Sequence, residues 1–168
     1  MKLEPRRTVR YYYLRFIRLR GHPSVLARGV AIGTFVGITP TIPFHTILTL
    51  FFAFILRGSK VTALLAAVVV SNPLTFFLQY YFSWKIGNWV TPANHSWEEV
   101  ETLLEAIIKG GNFGGKLSSL AEIGIESLMI LIGGGVILAI PFTIAFYLAS
   151  FLLFRSIQKK RLEKHVLN

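Results

Sequence analysis

The stretch Gly29–Leu56, GVAIGTFVGITPTIPFHTILTLFFAFIL, runs for about 28 residues without an Asp, Glu, Lys or Arg. A helix needs only ~20 such residues to cross a bilayer core. A plain crossing helix, however, would not carry Thr39, Pro40, Thr41 and Pro43 at its centre. Each proline removes a backbone donor, and the residue before a proline avoids helical dihedrals. The pattern therefore predicts two half-helices, roughly Val25–Ile38 and Pro43–Leu56, meeting at a break. A proline-kinked crossing helix healed by its neighbours is the alternative. Backbone groups freed at a break inside a membrane find no water, so they must be buried in protein or line a wet cavity.

The rest of the chain repeats the apolar theme. Of 168 residues, 53% are hydrophobic, and they gather in three blocks, about 25–56, 61–90 and 121–154, as in an integral membrane protein. The formal net charge of +10 sits mostly at the ends. Lys2, Arg6, Arg7, Arg10, Arg15, Arg18, Arg20 and Arg28 precede or open the first block; Arg155, Lys159, Lys160, Arg161 and Lys164 follow the last. Charges that flank apolar blocks are explained by topology and anionic lipid headgroups, so nucleic acid is not expected as a partner. Cysteine is absent, which excludes disulfides and thiolate chemistry. The long basic N-terminus lacks the form of a cleavable signal peptide.

The first half of the opening block spaces Gly29, Gly33 and Gly37 four apart, a ridge of small residues on which another helix can pack closely. In the second block Ala63, Ala67 and Ser71 repeat that spacing, and Ser71-Asn72-Pro73 echoes Gly37-Ile38-Thr39-Pro40. Setting Pro40 on Pro73 is an offset of 33 and places Thr39 on Asn72. Each pair then reads as an N-cap followed by proline at the first helical position. The expected fold is an all-α integral membrane protein of proline-broken, re-entrant helical hairpins packed through small residues.

Around this membrane domain (25–155), residues 1–24 mix arginines with Tyr11, Tyr12, Tyr13 and Phe16, as suits an interfacial helix or a solvated basic leader. Residues 91–120 form a polar segment in which Ser96-Trp97-Glu98-Glu99 fits a capping box and Gly110–Gly115 a hinge. In the third block, Gly133-Gly134-Gly135 and Pro141 permit a bend, a hairpin or a tilted crossing. A basic tail, 156–168, closes the chain. Placing all three basic regions on the cytoplasmic side makes block one a hairpin that enters and returns, with block two crossing outward and block three returning. A set of three hairpins, leaving every polar segment inside, also fits.

The chemistry on offer is sparse. The chain has no aspartate, its glutamates avoid the centres of the first two blocks, and its four histidines lack metal-ligand spacing. Neither an enzyme nor a metal site or cofactor is expected. The candidate ligand contacts are Thr39, Thr41 and His45 at the first break, Asn72 and Thr75 at the second, and Arg28 at the membrane edge. An ionisable residue at depth marks a functional position, which singles out His45; an interhelical hydrogen bond is the alternative role. Broken helices that aim backbone donors into a cavity suit an anionic group.

The run from Arg28 through Gly37, then Pro40, Pro43 and His45, then Ser71-Asn72-Pro73-Leu74-Thr75, resembles the bacterial domain-of-unknown-function family 2062. The likeness covers roughly residues 20–155. It implies a small protein of the bacterial inner membrane working near envelope glycolipids, and the basic flanks add the expectation of a multi-pass chain with both termini cytoplasmic. Some members are fused to glycosyltransferases, and the resemblance carries no catalytic residues. His45 stands where glutamine is more usual. The expected function is binding and translocation of an anionic amphiphile, a lipid-linked phosphate or phospholipid, by a homo-oligomer. A non-transporting scaffold for a membrane protein partner is the rival reading.

Overall fold

The computed structural model describes residues 21–41, 44–91, 98, 101 and 125–166. The basic-aromatic segment up to residue 20, the Ser96 capping box and the Gly110–Gly115 run lie outside these residues. Five helices are described, and no strand is found among the described residues. They are α1 (Pro23–Ile38), α2 (His45–Ile55), α3 (Lys60–Val70), α4 (Pro73–Val90) and α5 (Ile125–Val166).

The opening block folds back on itself. Arg28 near the start of α1 donates to the carbonyl of Leu56, just past the end of α2, at 3.1 Å. The turn that follows α2 satisfies its last carbonyls from within. The Gly58 N–H reaches the Ala53 carbonyl and the Arg57 N–H reaches Phe54, with Arg57 left-handed at φ 50°. These are the two bonds of a Schellman cap, whose left-handed position usually falls to glycine. Here glycine is needed one residue later. A Cβ on Gly58 would lie 3.1 Å from the Gly29 nitrogen. The Ser59 N–H then bonds the Val25 carbonyl at 3.0 Å, and Ser59 caps α3 by accepting from the Thr62 N–H.

This turn lays α3 beside α1, parallel to it. A Cβ on Gly29 would overlap Thr62 Oγ1 and the Ser59 carbonyl; one on Gly33 would meet the Ala63 carbonyl, Ala66 and Ala67; one on Gly37 would meet Val70. Gly29, Gly33 and Gly37 thus each face the residue 33 positions on, so the offset seen in the sequence is also the packing register. Ala63 and Ala67 are buried in the contact, and Thr62 Oγ1 crosses it to the Leu26 carbonyl at 3.0 Å. Backbones this close need side chains no larger than these.

The two proline breaks differ. In the first, Thr39 ends α1 as its C-cap and helix resumes only at His45. Pro40 therefore does not open a helix as the sequence pattern implied, because a helix begun there would meet Pro43 within its first turn. In the second, Pro73 does open α4, and Lys60–Val70 meets Thr75–Val90 at a bend of 86°.

The third block is one unbroken helix. Pro141 lies inside α5, which continues through the basic tail to Val166. Gly133-Gly134-Gly135 does not split it, since two of the three glycines are packing positions. Gly134 faces the Ser83 carbonyl and Gly87 of α4, and Gly135 faces Pro40 and Ser83; Gly133 meets nothing within 4 Å. Gly87 in turn lies on Ile130, so α4 and α5 run antiparallel. Further along, Phe154 packs with Leu26 and Val30, setting α5 antiparallel to α1. Arg28, Arg57, Lys60 and Arg155, remote in sequence, therefore collect at one end of the bundle.

Candidate functional site

The backbone accounting at the breaks decides what their polar side chains can do. Thr39 donates its hydroxyl to the Phe35 carbonyl at 2.8 Å, alongside its own N–H. Pro40 has no N–H for the Val36 carbonyl, and the His45 imidazole hydrogen-bonds that carbonyl instead. The Gly37 carbonyl accepts from Ser71 Oγ at 2.8 Å, which ties the two breaks together. At the second break the Val70 carbonyl accepts from both Thr75 Oγ1 (2.6 Å) and Gln79 Nε2 (2.9 Å). Asn72 supplies the carbonyl that receives the Thr75 and Phe76 N–H groups. His45 thus acts on the carbonyl that Pro40 leaves without a donor, Thr75 on a carbonyl at the end of α3, and Thr39 on one that its own N–H already reaches.

A second set of hydroxyls is left over. Thr34, Thr41, Ser83 and Thr143 each bury an oxygen that has no hydrogen-bond partner. Of the residues singled out from sequence, only Thr41 is among them. Ser83, fully buried, sits against Pro40 and Gly135 where α1, α4 and α5 meet. Ser83, Thr34 and Thr143 lie in apolar runs without a motif, so only their burial reveals them. A buried polar group without a partner costs about 1–3 kcal/mol, which a bound water or ligand oxygen can recover.

Between α1, α2 and α5 runs a groove of about 500 Å³, lined by Arg28, Ala31, Ile32, Phe35, Phe52, Leu56 and Thr143. That size is usual for a small-molecule site, ~300–1,000 Å³. Its walls are apolar, and Arg28 is the one charged residue on them; Thr143 also lines it, with its hydroxyl oxygen buried. Arg28 is half-buried and fixed by two carbonyls, Nε to Ser24 at 3.3 Å and Nη1 to Leu56. A guanidinium has five N–H donors, so these bonds leave others for a ligand. No acidic residue lines the groove. Lys60 adds a second cation at this end, its ammonium 5.3 Å from the Phe54 ring centroid.

The sequence-derived contacts therefore separate. Thr39, Thr41, His45, Asn72 and Thr75 belong to the two breaks, and Arg28 to the groove at the opposite end of α1. Among the described residues no group of three or more His, Cys, Asp or Glu comes together.

Among the described residues these features define an all-helical protein with one helix, Ser127–Glu163, long and apolar enough to cross a membrane. More particularly, residues 6–163 match the family described as uncharacterized protein conserved in bacteria (DUF2062), and the chain belongs to that family. Neither the curated proteins nor the solved structures provide a match.

Proposed function

We propose that this is an integral protein of the bacterial inner membrane that binds and translocates an anionic amphiphile, a phospholipid or lipid-linked phosphate. The observation that carries this reading is the groove, with apolar walls and a fixed guanidinium. That combination recognises a molecule with a long apolar part and an anionic end.

Lipid surroundings are supported by what the helices leave uncovered. Only 28% of the apolar window of α5 is buried, and Ile47, Phe51, Phe54, Val68, Val69, Phe77, Ile144 and Leu152 are exposed. Patches of this extent mark a membrane or a partner. From Arg28 to Ile38, α1 rises about 15 Å, half of a ~30 Å hydrocarbon core. The α1–α2 hairpin is therefore a re-entrant element reaching the midplane. Its base, with the basic end of α5, faces the cytoplasm and its anionic lipids, leaving both termini inside. Exposed apolar faces on α2 and α3 also suit a second copy, so the working unit is a homo-oligomer.

A scaffold for a membrane partner stays in play for one reason: Thr39, His45 and Thr75 are already engaged by the backbone. Purification in mild detergent, followed by mass spectrometry of bound lipid and of the intact assembly, tests these points. Transport requires enrichment of an anionic lipid, its movement between leaflets of reconstituted vesicles, and loss of both in Arg28→Gln. Absence of any enriched lipid, with Arg28→Gln fully active in cells, would select the scaffold; a monomeric mass would remove the oligomer.

A further inference from the structure

We infer that the outward face of α4, centred on Lys85, lies in the membrane interface opposite the basic end and seats an anionic lipid headgroup there. The inference rests on the membrane reading above and adds to the Arg28 groove a second contact, in the other leaflet.

Placement comes first. Ser83 and Gly87 of α4 lie against Gly134 and Ile130 of α5, whereas Arg155 follows Phe154, which packs beside Leu26 at the basic end. From residues 130–134 to Arg155, α5 runs about 31–38 Å by helical rise. That is the thickness of a ~30 Å hydrocarbon core, so this part of α4 stands at the far interface. The whole of α4 is ~27 Å long and leaves α3 at a bend of 86°. It therefore rises at a slant from the break, at mid-depth, to that surface.

The side chains change along α4 as this slant demands. Lys85 falls midway between Ser83 and Gly87 in sequence, which puts it on the side of the helix away from α5, and it is exposed. Nearer the break the same face exposes Phe77 and Leu78, which suit acyl chains. Around Lys85 it exposes Phe82 and Trp89, one turn to either side, with Trp89 86% exposed. Acyl chains offer an ammonium no counter-charge, and an ionised side chain in the core is costly. Headgroup phosphates supply the charge and the acceptors, and a lysine among aromatic rings is the pattern of an interfacial belt. Among the described residues Lys85 is also the one lysine or arginine away from the basic end. An anionic lipid held at Arg28 in one leaflet thus has a matching cation in the other.

The test uses the full-length protein with Trp84→Phe/Trp97→Phe, which leaves Trp89 as its one tryptophan, in vesicles of phosphatidylcholine and phosphatidylglycerol. Quenching by lipids brominated high on the acyl chain is expected to exceed quenching by lipids brominated near its end. At equal mole fraction, brominated phosphatidylglycerol should associate at Trp89 about two- to fivefold more tightly than brominated phosphatidylcholine, the worth of one exposed ion pair. Lys85→Gln should bring that ratio to one without changing the depth, and Lys85→Arg should keep both. Strongest quenching from the deep bromines, or none from any brominated lipid, would overturn the interfacial face. A ratio of one in the parent, or a preference that survives Lys85→Gln, would overturn the headgroup contact. Each of these failures leaves the Arg28 groove standing, because lipid enrichment and its loss in Arg28→Gln are measured separately.

Discussion

Substituting Gly33 with alanine is the sharpest probe of the α1–α3 contact. The added methyl would lie 2.9 Å from both the Ala66 Cβ and the Ala67 nitrogen, and would overlap the Ala63 carbonyl. Most of what it meets is backbone, which cannot swing aside as a side-chain tip can, so the helices must move apart. Overpacking of this kind costs about 1–3 kcal/mol, and the better helix propensity of alanine returns up to ~1 kcal/mol. A net loss of about 1–2 kcal/mol lowers the melting temperature of a chain this size by about 2–8 °C. Gly133→Ala is the matched control, because nothing lies within 4 Å of its new methyl. It keeps only the propensity gain, ~0.5–1 kcal/mol, and should melt about 1–4 °C higher. Both are read by tryptophan fluorescence during heating in one detergent at one scan rate. A Gly33→Ala protein melting at or above the parent, or a Gly133→Ala protein falling alongside it, would refute the close-packed ridge.

Removing both donors to the Val70 carbonyl, in Thr75→Val/Gln79→Leu, should lower the unfolding midpoint by the ~1–3 kcal/mol of an orphaned buried acceptor; an unchanged midpoint would mean that water reaches the break. Arg57→Gly relieves a left-handed residue and should stabilise by ~1 kcal/mol, whereas Arg57→Ala, equally strained at φ 50°, should not. Ser83→Ala deletes a hydroxyl with no partner and should be neutral or stabilising, while Thr62→Val loses its bond to Leu26 and should cost ~0.5–1.5 kcal/mol. Equal losses in chemical denaturation would show that Ser83 has a partner after all.

What the sequence determines by itself is local. Proline lacks an N–H and restrains the residue before it, so Thr39-Pro40 and Asn72-Pro73 marked breaks, whereas the lone Pro141 left a bend, a hairpin or a crossing open and lies inside an unbroken helix. Gly29, Gly33 and Gly37 leave room for another backbone at close range, and Ala63, Ala67 and Ser71 repeat their spacing, but which helix packs on which is not written in that repeat. Tertiary structure decides what the two copies of the motif become. The first closes into a hairpin because the Arg57-Gly58-Ser59 turn docks on Val25 and Gly29, and Arg28 clamps Leu56. The second stays open at 86°, as Ser83 and Gly87 lock α4 onto Gly134 and Ile130 of α5. Those partners are 43 to 51 residues apart in the chain, and no local propensity encodes such a contact. The candidate site divides in the same way. Arg28 stands out in sequence as a charge at the rim of an apolar block. Thr143 is one hydroxyl among aliphatics, and only the fold shows that it lines the groove and that its oxygen is buried without a partner.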